Sequence, residues 1–95
     1  MKVLLIVHGT VQDVGYRWLV KKAAYRNNVK GSVRNMPDGS VRILAMADDE
    51  SMERFEREIN VDLRNGPSVM HIDKYPESSA EFPGWKDCDS FKIEK

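Results

Sequence analysis

Residues 2–17 read KVLLIVHGTVQDVGYR. Val3 to Val7 form an almost unbroken apolar run, which predicts a central strand from Lys2 to His8, buried on both faces. From Gly15 to about Asn27 the pattern becomes helical. Tyr16, Leu19, Val20, Ala23, Ala24 and at its end Arg26 mark one face, and Asn27-Asn28 provides a stop that tolerates left-handed geometry. Gly9 to Val14 is then a short loop joining a strand to a helix N-terminus.

The same reading extends down the chain. Pro37-Asp38-Gly39 is a turn between two extended runs, which makes a hairpin of about 30–36 and 40–47. Val41, Ile43 and Ala45 share one face of its second arm, and Arg42, Leu44 and Met46 the other. Asp48 and Asp49 offer an N-cap for a second helix. Its stripe is Met52, Phe55, Ile59 and Leu63, and Asn65-Gly66-Pro67 ends it. Ser68 to Tyr75 alternates as a strand, Pro76 to Asp89 is a long loop, and Ser90 to Lys95 is a short last strand. The order β-α-β-β-α-β plus a short strand is the ferredoxin-like α+β sandwich. It predicts an antiparallel sheet of four main strands and a C-terminal addition, with two helices on one face.

Composition narrows the class. With 95 residues, 41% of them hydrophobic and 32% charged, the chain reads as one soluble domain over 1–95. No apolar run approaches the roughly 20 residues of a membrane span, and no signal peptide is visible, so the cytoplasm is the expected location. The single Cys88 has no partner for an internal disulfide and no ligand-spaced neighbour, and reads as a loop thiol. Net charge is zero, yet residues 1–47 hold eight Lys or Arg against two acids, and residues 48–95 seven against thirteen. The basic half therefore points to an anionic partner.

The loop supplies a place for one. A strand-to-helix turn aims backbone N–H groups at one spot, and the helix dipole favours negative charge there. Gly9 and Gly15 let the backbone bend, and Arg17 carries a planar fork suited to a phosphate. A phosphate-binding loop of Gly9, Thr10, Val11, Gln12, Asp13, Val14 and Gly15 is one reading. A surface turn with an incidental Arg17 is the other. Asn35, ending the first hairpin arm, either orients a water against the anion or simply starts the turn. The ferredoxin-like order is expected to set its strand beside the one that feeds the loop.

These residues resemble the acylphosphatase family. The pattern G-x-V-Q-G-V-x-[FY]-R is met at Gly9, Val11, Gln12, Val14, Tyr16 and Arg17. It continues through Ala23, then Gly31, Val33 and Asn35, then Asp38, Gly39 and Val41, and returns at Gly66-Pro67 and Phe91-Lys92-Ile93. The resemblance implies a hydrolase that splits small acyl phosphates into carboxylate and inorganic phosphate, the latter a product and inhibitor. It implies Arg17 as the phosphate grip, Asn35 as the water-positioning residue, and no metal, cofactor or covalent intermediate. A monomer without nucleic-acid or membrane partners is expected. Three departures stand out: Asp13 replaces a usual Gly, Ser32 a usual aromatic, and the 76–89 loop is long. Asp13 is the main argument for the rival reading, a weak or inactive module that binds phosphate or a nucleotide. It is expected to point outward. His8 and His71 read as strand positions, Trp18 and Trp85 as packing residues, and Asp48-Asp49-Glu50 as a helix start rather than a metal site.

Overall fold

The computed structural model describes residues 1–95. Its elements are β1 (Lys2–Thr10), α1 (Tyr16–Arg26), β2 (Lys30–Asn35), β3 (Val41–Met46), α2 (Asp49–Ile59), β4 (Ser68–Pro76) and β5 (Phe91–Glu94). All five strands join one sheet in the order β4-β1-β3-β2-β5. β5 runs parallel to β2, so the sheet is mixed rather than antiparallel throughout.

One face of this sheet carries the core. Val3, Leu5 and Val7 of β1, Val33 of β2, and Val41, Ile43 and Ala45 of β3 are buried together with Tyr16, Val20, Ala23 and Ala24 of α1 and Met52, Phe55 and Ile59 of α2. Both helices therefore cover the same face, as the sequence periodicities demand. Arg26 does not continue the apolar face of α1. It donates to Glu58 of α2 through both Nε and Nη2 and ties the two helices at their ends. The helix stop works as expected: Asn28 takes φ +55°, and Val29 N–H returns to the Ala24 carbonyl at 2.8 Å.

Three further expectations are corrected. α2 stops at Ile59, so Leu63 leaves the apolar stripe and is 47% exposed. The Ile59 carbonyl accepts instead from the buried Tyr16 hydroxyl at 2.8 Å, and beyond it Val61 accepts from Val69 N–H, drawing the chain toward β4. The simple alternation of β4 also fails. The β1–β4 register shifts between His8 and Gly9, whose partners are His71 and Val69, so Met70 is passed over and lies exposed while Val69 packs on the core. Finally, β2 does not lie beside β1; β3 separates them.

The Tyr16 bond joins the start of α1 to the end of α2, and burial pushes its phenol pKa well above the ordinary value. Tyr16→Phe should cost about 1–2 kcal/mol, because it orphans a carbonyl, whereas Phe55→Ala should cost about 3–5 kcal/mol. Urea denaturation distinguishes the two. The Asp48 side chain caps α2 by accepting from Ser51 N–H at 2.7 Å, and this bond holds its carboxyl below the usual range. A depressed native pKa stabilises above the unfolded value and is lost as pH falls through the native one. Asp48→Asn keeps a capping oxygen without the titration, so its stability should fall less between neutral and acidic pH than that of the unmodified chain.

Candidate active site

The segment between β1 and α1 is fixed at both ends and open in between. Val11 and Tyr16 are each 1% exposed and pin it to the core. Gln12 turns away from the loop's interior. Its Nε2 donates to the Met36 carbonyl at 2.7 Å and the Ser40 carbonyl at 2.8 Å, clamping the loop to the β2–β3 turn. That turn is itself closed by Met36 N–H to the Ser40 carbonyl and by Ser40 N–H to Asp38 Oδ1. Gly9 and Thr10, expected in the loop, belong to β1 and pair with Val69 and Ser68. Gly9 takes φ +139°, and an added Cβ would run into the Ser68 carbonyl oxygen and lie 2.8 Å from Met70 N. Only glycine fits the bulge that ends β1.

Between these anchors, no backbone N–H from Val11 to Trp18 donates to any acceptor in the protein. The two helices show why this differs from an ordinary helix start. α2 is capped by Asp48 and has Asp49 and Glu50 in its first turn. α1 begins at Gly15 with φ +78°, has no side-chain cap, and has no acid in its first turn. Asp13 also takes a left-handed φ of +62°. Positive φ values two residues apart fold the backbone into a concavity lined by N–H groups, an arrangement that favours anions.

Arg17 and Asn35 reach the same place. Val7, Val41 and Asn35 occupy one row across β1, β3 and β2, so Asn35 lies on the helix side of the sheet at the end where β1 feeds the loop. Val11, Asp13, Gly15, Tyr16, Arg17, Trp18 and Asn35 together line a cavity of about 70 Å³. Pockets for whole organic ligands hold roughly 300–1,000 Å³, so this one has room for a small ion. Asn35 Oδ1 is buried and has no hydrogen-bond partner. Arg17 Nη1 donates to the Glu94 carbonyl at 2.9 Å, so β5 orients it. Asp13 is exposed and also lines the cavity.

Two contributors were missed in the sequence. Trp18 is not a packing residue; it is 60% exposed, lines the cavity, and has Lys21 Nζ 5.5 Å from its ring centre. Its place in the first helical turn was the available clue. The Glu94 contact uses a backbone carbonyl 77 residues away, and no sequence signal marks it. His8 lies outside this cavity. It and His71 share the Asp73 carboxylate, at 3.0 Å and 2.6 Å, and these bonds hold the Asp73 pKa low, that from His71 most strongly.

The acylphosphatase family model matches residues 3–93. The chain belongs to the acylphosphatase family. An acylphosphatase of Listeria welshimeri is 37% identical over 78 residues, 82% of this chain and 84% of the relative. One from Enterococcus faecalis is 36% identical over 92 residues, 97% and 96% of the two chains. The crystal structure of the Bacillus subtilis acylphosphatase superposes with a TM-score of 0.81 at 29% identity, covering 99% of this chain and 98% of that one. Acylphosphatases are hydrolases, and this chain is an enzyme of that family. No helix is long and apolar enough to cross a membrane.

The anchors of the loop can be tested apart from chemistry. Gly9→Ala should shift the bulge and weaken inorganic phosphate binding, measured by calorimetry. Gln12→Ala should destabilise the fold by about 1 kcal/mol, since the Met36 and Ser40 carbonyls lose one donor each but keep the Gly39 and Met36 N–H groups, and should weaken phosphate binding as well.

Proposed function

We propose that the protein hydrolyses small acyl phosphates at this cavity, with Arg17 and the Val11–Trp18 amides holding the phosphoryl group and Asn35 holding the water. The observation that carries the reading is the run of unpaired N–H groups beside Arg17 and Asn35 in a chain of this family. Donors left without partners are costly, and a bound phosphoryl group satisfies several at once.

An acyl phosphate is already activated, so positioning and electrostatics supply most of the rate. The guanidinium and the amides neutralise charge on the phosphoryl oxygens as the bond to the acyl oxygen breaks. Asn35 Oδ1, buried without a donor, accepts a hydrogen bond from the attacking water and aligns it with phosphorus. A phosphoryl oxygen takes the water's proton. The electron pair of the breaking P–O bond leaves with the carboxylate, and inorganic phosphate remains in the cradle as product and competitive inhibitor. Gly9 and Thr10 shape the cradle from the strand rather than line it. The substrate is small and the protein acts as a monomer in the cytoplasm.

The rival, a binder without turnover, rests on Asp13. A carboxylate about 5 Å from a bound anion costs about 3 kcal/mol per unit charge at an effective dielectric near 20. Asp13 is exposed, and solvent and salt screen that cost. The enzyme reading is therefore preferred. Benzoyl phosphate hydrolysis separates the two. Arg17→Ala should abolish turnover and phosphate inhibition. Asn35→Ala should lower kcat by about 100-fold or more with KM nearly unchanged, in line with loss of a positioning group; loss of affinity alone would remove its assigned role. Asp13→Gly should tighten phosphate inhibition a few-fold. Turnover by the unmodified protein no higher than that of Arg17→Ala would establish the binder.

A further inference from the structure

A concavity much larger than the cradle lies on the other face of the sheet. Ser32, Arg34, Arg42 and Leu44 alternate with the buried Val33, Val41 and Ile43 and so point away from the helices. Residues 77–90, joining β4 to β5, pass over this face, and between them and the sheet is a cleft of about 610 Å³. Its polar lining is mainly cationic, with Arg42, Lys86 and Lys92 against Asp87 and Glu94. Arg34 lines a narrow extension that shares Ser32, Arg42, Leu44 and Glu94 with it.

Two features of this cleft are unsatisfied by the protein. Arg34 and Arg42 are direct cross-strand partners, a like-charge pairing that disfavours the sheet. Neither forms a side-chain hydrogen bond or ion pair, and nor do Lys86 and Lys92. The four cations exceed the two acids by two charges. Trp85 is the second feature. Its ring has Lys2 Nζ 5.8 Å from its centre, and its Nε1–H is buried without an acceptor.

We propose that this cleft is a second ligand site, separate from the cradle, that takes a small aromatic phosphate monoester of nucleoside monophosphate size. A phosphate dianion matches the two excess charges and relieves the Arg34–Arg42 repulsion, with Arg42 and Lys92 as its main donors. A flat ring fits against Trp85 and Leu44, and a ring nitrogen or carbonyl accepts from Nε1–H. A bare phosphate leaves most of this volume unfilled. A nucleic-acid strand is disfavoured because residues 77–90 interrupt the sheet face it would follow.

Adenosine monophosphate is the probe. It is titrated into the full chain carrying Trp18→Phe, which leaves Trp85 as the sole tryptophan reporter, and into the unmodified chain by calorimetry. Saturable one-site binding with quenching of Trp85 is expected. Arg42→Ala, and separately Lys92→Ala at an exposed position, should weaken it about tenfold or more, without altering benzoyl phosphate hydrolysis. Arg17→Ala should bind the nucleotide unchanged. Absence of binding at millimolar nucleotide overturns the proposal. So does binding lost in Arg17→Ala but kept in both cleft variants, which assigns the nucleotide to the cradle. A single-stranded oligonucleotide that binds far more tightly than the monomer overturns it in favour of a nucleic-acid surface.

Discussion

Everything at the candidate site depends on keeping a run of backbone donors unpaired without letting the loop collapse onto them. Isolated, such a short segment would hold no fixed conformation, and its N–H groups would turn to water. Here its conformation is dictated from outside. Val11 sinks into the core, Tyr16 is bonded to the last carbonyl of α2, Gln12 is fastened to the β2–β3 turn, and the Gly9 bulge sets the exit direction from β1. Four separate elements therefore hold one concavity. Preorganisation of this kind lets fixed dipoles act on a charged ligand without first having to reorient.

Charge is partitioned with similar economy. The basic N-terminal half forms the cradle and most of the cationic cleft floor. Part of its excess is balanced within the fold, where Arg26 meets Glu58, and Lys2 lies 3.5 Å from Glu77. Exposed pairs of this sort contribute little stability; here they leave Arg17, Arg34 and Arg42 free of carboxylate partners. The uneven charge visible in the sequence thus resolves into two separate cationic places on opposite faces of one sheet.

Periodicity and turn chemistry made most of the fold legible. The β1 run, the α1 face, the Pro37-Asp38-Gly39 turn and the Asp48 cap are all local patterns, and local physics formed them. What escaped reading depends on distant partners. Leu63 keeps the helical spacing, but α2 ends where Tyr16 captures the Ile59 carbonyl. Met70 keeps the strand alternation, but a bulge set by Gly9 of another strand passes over it. Gln12 was read for its backbone in the loop, and nothing local shows that its side chain bonds to the Met36 and Ser40 carbonyls of the β2–β3 turn. The candidate site was readable as residue types because Arg17 and a glycine-bounded loop are close in sequence. Asn35 came within reach by sheet register, across β3, although its strand had been expected directly beside β1.

The hydrogen bond from Arg17 to the Glu94 carbonyl bears on how the protein is made. Arg17 precedes Glu94 by 77 residues, and the partners that hold its loop, as far as Val69, all come before Glu94 as well. Its orientation, however, waits for residue 94, in the strand β5 that pairs with β2. The guanidinium is thus put in place by a segment translated 77 residues after it. A nascent chain can hold a cradle-shaped loop long before it holds a competent one.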